Sequence, residues 1–123
     1  MLSITTTSSR YLFILNDSGL NAEVIVAVDS EKLNINLNNI FINEAYRGKG
    51  KSYSLLYTIF TYVKNIYPTI KTITLDDMTE RYRMPLHNLY INLGFEYIED
   101  YGPEMIADYD KVIKNLRKHL KRI

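Results

Sequence analysis

The 123-residue sequence predicts an α+β fold, in which a mixed, mostly antiparallel sheet carries flanking helices and ends in a basic C-terminal helix. Two observations carry this. Three β-rich runs come first, separated by turns short enough for hairpins, and the apolar period changes from two to the helical period only at Tyr53. Later strands and helices then alternate in short pieces.

Arg10–Asn16 (RYLFILN) is a short apolar run that stops at Asn16-Asp17-Ser18-Gly19, a strong turn signal. Ala22–Val28 (AEVIVAV) is β-branched and reads as its hairpin partner. After the turn Asp29-Ser30-Glu31-Lys32, Leu33–Asn43 alternates Leu33, Ile35 and Leu37 with Asn at the even positions, which marks a strand with one buried face. The alternation slips at Asn39-Ile40, as it does in a β-bulge. Leu55, Leu56, Ile59, Phe60 and Val63 then form a helix face that Pro68 closes. Lys71–Leu75 is another β-rich run, ending at Asp76-Asp77. Pro85–Leu93 reads as a short helix stopped by Gly94, and Phe95–Ile98 as a strand. The tail has two readings. Either a helix starts at Pro103-Glu104 and repeats through Ile106, Tyr109, Ile113, Leu116 and Leu120, or Met105–Tyr109 is a last strand and the helix starts near Asp110.

At this length one domain over residues 1–123 is expected, with a core over 10–109 and the basic amphipathic helix over 110–123. Fifteen Lys+Arg against fourteen Asp+Glu is a poor footprint for non-specific nucleic-acid binding. The absence of Cys excludes disulfides, zinc–thiolate sites and cysteine nucleophiles, and with two His no metal is expected. The Ser/Thr-rich stretch Met1–Arg10 lacks the apolar centre of a secretory signal, and no run approaches the roughly 18 apolar residues of a membrane span. A cytosolic or otherwise intracellular protein is expected.

Chemistry concentrates in Asn43–Ser52 (NEAYRGKGKS), a glycine loop between a strand and a helix. Gly48 and Gly50 let backbone N–H groups approach an anion, the helix start adds unpaired donors, and Arg47, Lys49 and Lys51 add cations. The pattern fits a phosphate or pyrophosphate cradle; a solvated basic turn is the plain alternative. Ala45–Ser52 also fits a relaxed P-loop with Ala in the place of the first Gly. Three hairpin-linked strands before the loop and about seventy residues after it argue against the parallel sheet which that fold requires.

The order of the whole chain instead resembles the GNAT superfamily of acetyl-CoA-dependent N-acetyltransferases. Its [Q/R]-x-x-G-x-[G/A] signature matches at Arg47-Gly48-Lys49-Gly50-Lys51, with Ser52 departing at the last position. Its L-Y-x-x-x-G-F landmark matches as Leu89-Tyr90-Ile91-Asn92-Leu93-Gly94-Phe95. These landmarks span residues 33–99, and the hairpin at 10–28 suits the family's second and third strands. The family's first strand and two N-terminal helices are expected to be missing, because only about ten residues precede Tyr11. Arg83 stands where many relatives carry Asn before the second helix, which alters a contact to pantetheine.

The resemblance implies direct attack of an amine on the thioester of acetyl-CoA in a ternary complex. It places the oxyanion donor at a backbone N–H near Phe41 or Ile42, with the same strand edge pairing the pantetheine amides. Arg47, Gly48, Lys49, Gly50, Lys51 and Ser52 hold the pyrophosphate, and Arg83 joins the cofactor contacts. Tyr90 stands where the family's tyrosine acid protonates the leaving thiolate; a packing tyrosine is its plain alternative. Asp76 or Asp77 is the candidate base, against a solvated strand end or helix cap, with Glu23 and Glu44 weaker candidates. His87 and His119 read as packing or surface residues.

Lys111, Lys114, Arg117, Lys118, Lys121 and Arg122 crowd the tail, with Asp108 and Asp110 near its start. This arrangement complements the helix dipole, and it also suits a docking surface for an acidic partner, nucleic acid or a second copy of the chain. The expected partners are an amine acceptor (a small molecule, a polyamine or a protein amine) and, for a dimer, a second copy. No membrane is expected, and nucleic acid is disfavoured by the overall charge. A non-catalytic CoA- or protein-binding module is the alternative function, ahead of a P-loop nucleotide-binding or nucleic-acid-binding domain.

Overall fold

A computed structural model describes residues 2–7, 10–17, 20–42, 51–76, 85–99 and 102–120. Seven strands and three helices occur among them: β1 (Leu2–Thr7), β2 (Arg10–Asp17), β3 (Leu20–Val28), β4 (Asn34–Ile42), α1 (Lys51–Ile66), β5 (Thr72–Asp76), α2 (Pro85–Leu93), β6 (Glu96–Tyr97), β7 (Glu104–Asp108) and α3 (Tyr109–Leu120). The strands form one sheet in the order β1-β2-β3-β4-β5-β7-β6. All neighbours are antiparallel except β4 and β5, which run parallel because α1 carries the chain across. This is the expected mixed, mostly antiparallel α+β architecture.

One expectation fails. A strand does precede Tyr11: β1 pairs with β2 from Leu2↔Leu15 to Thr7↔Arg10. Its sequence, LSITTT, hides it, because an edge strand with Ser and Thr shows no apolar alternation although Thr and Ile favour the extended state. No helix fits between β1 and β2, since two residues separate them.

At the other end the second reading of the tail holds. Met105 and Ala107 of β7 are buried while Glu104, Ile106 and Asp108 are exposed, a period of two. Glu104 therefore opens a strand rather than a helix, and α3 begins at Tyr109, one residue before the expected Asp110. The helix-like spacing of Ile106 and Tyr109 belongs to the strand-to-helix junction.

Alternation builds the core. Ile35 and Leu37 of β4, Ile73 and Leu75 of β5, and Met105 and Ala107 of β7 all point to one face of the sheet. There they join Leu56, Ile59, Phe60 and Val63 of α1 and Val112, Ile113 and Leu116 of α3 in one buried cluster. The even-numbered Asn residues occupy the opposite face and find partners there. Asn34 and Asn36 each donate from Nδ2 to Thr74 Oγ1 (2.9 and 2.8 Å), and Thr72 donates to Asn34 Oδ1 (2.8 Å). Strand β4 thus carries its apolar residues on one face and a hydrogen-bonded Asn/Thr ladder on the other.

Two tyrosines fix helix α1 to its neighbours. Tyr11 of β2 shares a 2.7 Å hydroxyl hydrogen bond with Tyr67. Tyr109 donates to the Phe60 carbonyl at 3.2 Å. Burial, foremost, pushes both hydroxyls up to about 12, so both are protonated at neutral pH.

Candidate active site

The pairing of β4 with β5 ends where the chemistry is expected. They pair from Asn34↔Thr72 to Leu37↔Leu75, and there the pairing ends. Strand β4 continues to Ile42, held on its other side by β3 as far as Ala22↔Ile42. Among the described residues no strand pairs the outer edge of β4 beyond Leu37. The end of this pairing coincides with a register shift between β3 and β4. Ile25 pairs with Asn39 but Val26 pairs with Leu37, so Asn38 is an extra residue on β4. The sequence places the slip at Asn39-Ile40; the structure places it just before. A bulge of this kind increases local twist and bends its strand.

Phe41 and Ile42 lie on the β4 segment beyond the bulge. Lys51 and Ser52 open α1, whose first turn has no acidic side chain to neutralise the N-terminal end of the helix dipole. Arg47, Gly48, Lys49, Gly50, Glu44, Asp77 and Arg83 lie outside the described residues. Glu23 is exposed on β3, with Phe41 as its register partner.

The second landmark, L-Y-x-x-x-G-F, has a mechanical explanation. Gly94 has φ +102°, a left-handed conformation that terminates α2. Its N–H donates to the Ile91 carbonyl (3.0 Å), and the Phe95 N–H reaches back to the Tyr90 carbonyl (3.1 Å). These two bonds are a Schellman cap, and its customary apolar contact is the edge-to-face pair of Tyr90 and Phe95, with centroids 6.0 Å apart. From α3, Asn115 Nδ2 caps the Leu93 carbonyl at 2.9 Å. Tyr90 is consequently held at the end of a locked helix and is 3% exposed. The capping role of Asn115 was not visible in the sequence, because the contact crosses 22 residues.

A substitution probes this lock. A Cβ on Gly94 would stand 2.9 Å from Lys111 Cε and 3.2 Å from Asn115 Nδ2, on a backbone that L-residues rarely adopt. The lysine tip can move, but the φ strain remains. Gly94→Ala is expected to destabilise the fold by about 1–2 kcal/mol in urea unfolding.

Asp76 ends β5, exposed, and its register partner across the sheet is Glu104 of β7, also exposed. Two carboxylates thus stand directly opposite at the end of the strand that pairs with β4. The sequence pairs Asp76 with Asp77 as neighbours; only the fold brings Glu104 beside it.

Compared by sequence, the chain matches no family model and no curated protein. Solved structures do match. A mutant of the toxin AtaT bound to the C-terminus of the antitoxin AtaR and acetyl-CoA superposes with a TM-score of 0.60 at 12% identity, over 84% of this chain and 69% of that one. The ribosomal-protein-S18-alanine N-acetyltransferase from Escherichia coli gives 0.62 at 20% identity, over 85% and 72%. The spermidine/spermine N-acetyltransferase SpeG from Vibrio cholerae gives 0.61 at 17% identity, over 87% and 71%. No helix among the described residues is long and apolar enough to cross a membrane. With its parallel β4–β5 pair, its crossover helix and its capped second helix, this chain has a GNAT-like fold.

Proposed function

We propose that the chain is an acetyl-CoA-dependent N-acetyltransferase, and the observation that carries this reading is that, among the described residues, no strand pairs the outer edge of β4 from Asn38 to Ile42. An open strand edge of five residues offers N–H and C=O groups at strand spacing, which suits the two amides of pantetheine as an added strand. The edge leads into the glycine loop Arg47-Gly48-Lys49-Gly50 and the start of α1, where unpaired donors and cations suit a pyrophosphate. The residues present therefore fit acetyl-CoA, which supplies an activated acetyl thioester.

In the transfer a C–N bond forms as the C–S bond breaks. A cationic amine loses two protons, one before attack and one, to solvent, as the amide forms, and sulfur gains one: Asp76 accepts the first, directly or through water, with Asp77 as the alternative. Asp76 and Glu104 together also attract a cationic acceptor. A polyamine or a protein amine fits, as the names of the structural relatives illustrate. A backbone N–H near Phe41 or Ile42 stabilises the developing oxyanion. The Tyr90 hydroxyl returns a proton to the leaving sulfur. An intracellular site of action fits both the use of acetyl-CoA and the absence of Cys.

One observation favours a second reading. Tyr90 already has a complete structural role in the α2 cap, so a CoA-binding module without turnover also accounts for it. Thermal unfolding with acetyl-CoA, CoA, ATP plus magnesium, or no ligand tests the shared part of both readings. A ligand at ~100 times its Kd adds roughly 2.7 kcal/mol, which is a shift of several degrees. Stabilisation by acetyl-CoA and CoA but not by ATP is expected; no shift with either sinks the proposal. Release of CoA on adding an amine then separates enzyme from binding module.

A further inference from the structure

The overall charge of +1 conceals a segregation. Residues 110–123 carry six Lys/Arg against Asp110 alone, a formal +5, while residues 1–109 carry nine against thirteen, a formal −4. The fold decides where this positive segment goes. Helices α3 and α1 lie antiparallel along a seam. Lys64 Nζ sits 4.9 Å above the Tyr109 ring at one end, Arg117 Nε donates to Tyr57 Oη (3.3 Å) further along, and Tyr53 stacks on His119 (4.3 Å, 8° between planes) at the other end.

Beside the seam runs an open groove of about 960 Å³. Four cations line it: Lys64 from α1 and Lys114, Arg117 and Lys118 from α3, against the single carboxylate of Asp110. Lys64 Nζ donates to the Ile70 carbonyl and Arg117 donates to Tyr57, while Lys114 and Lys118 are exposed. The only aliphatic side chain in the lining, Ile113, is 6% exposed. With Ile113 and Tyr109 buried, the exposed side chains of the lining are mainly charged, which suits a partner recognised by charge.

We propose that this α1/α3 groove binds the sugar–phosphate backbone of a single-stranded nucleic acid. The groove supplies a cluster of cations for phosphates, and Lys121 and Arg122 extend the basic run in sequence. The half-buried Tyr53/His119 stack at the end of the seam supplies an aromatic surface for a base, the combination that strand-binding proteins use. The site is built from residues other than those assigned to acetyl transfer, and it does not depend on that assignment.

The test is fluorescence anisotropy of a labelled twelve-nucleotide single strand of mixed sequence, titrated with the full chain across a range of KCl. Binding is expected to weaken linearly in log[KCl]. In the Lys114→Gln/Lys118→Gln double variant the slope should flatten by about 1.4, which is two phosphate contacts at ~0.7 each. Both lysines are exposed, so the melting temperature of the variant should match that of the parent. Absence of binding at low salt, an unchanged slope in a folded variant, or equal competition by poly-L-glutamate of matched charge each overturns the proposal. Poly-L-glutamate competing as well as the oligonucleotide would assign the groove to an acidic polypeptide instead.

Discussion

Tyr90→Phe is expected to lower amine-dependent release of CoA by about 10²–10⁴-fold, the range that a general acid contributes. Removing one hydroxyl leaves the ring, and the ring makes the α2 cap: the edge-to-face contact with Phe95 and the backbone bond from Phe95 N–H need no oxygen. The variant should therefore fold normally and keep its stabilisation by acetyl-CoA while losing turnover. Stopped-flow detection of free thiol, beside a melting curve with ligand, reads the two effects separately. If turnover is unchanged, Tyr90 is a packing residue only and the proton reaches sulfur from another group. If both stability and turnover fall, the hydroxyl serves the core. The acid role predicts a third pattern, loss of rate with structure and cofactor binding intact.

Leu116→Ala is expected to have the largest effect on stability. Leu116 is fully buried in α3, in the same cluster as Phe60 and Val63 of α1. Truncating a Leu at such a site typically costs 2–5 kcal/mol, from lost transfer energy and the cavity left behind. In a chain of this size that lowers the melting temperature on the order of 10 °C. The measurement also tests the status of the tail. If α3 were an appendage on a core ending at residue 109, the substitution would leave global unfolding nearly unchanged. A large cooperative loss shows that the basic helix folds with the sheet. The groove proposed for nucleic acid depends on this docking, because three of its four cations come from a helix held there by Val112, Ile113 and Leu116.

Legibility in the sequence follows the range of the interaction. Strands β2, β3 and β4 show in their apolar runs, their alternation and the turns between them, because period and turn chemistry are local. Helix α1 shows in its apolar spacing, and the stop of α2 shows in Gly94. The GNAT resemblance rests on the same local material, since the glycine loop and the L-Y-x-x-x-G-F cap are each contiguous. The β4 bulge is nearly legible: the period slips at Asn39-Ile40 while the extra residue is Asn38, because register is decided jointly with β3 and not by β4 alone.

Contacts between distant segments decided the rest. Strand β1 is polar and gains its identity from ladder bonds to β2, which composition does not reveal. The strand-or-helix ambiguity at Met105–Tyr109 is settled by pairing with β5, since Ile106 and Tyr109 satisfy either period when read alone. The approach of Glu104 to Asp76, the cap that Asn115 places on α2, and the groove of Lys64 with Lys114, Arg117 and Lys118 bring together side chains 22 to 54 positions apart. By itself the sequence determined the α+β class, the loop and cap motifs, and the excess charge at the C-terminal end. Only the tertiary structure decided where the pairing of β4 with β5 ends and where that charge is displayed, because both depend on pairing and packing partners that no local window contains.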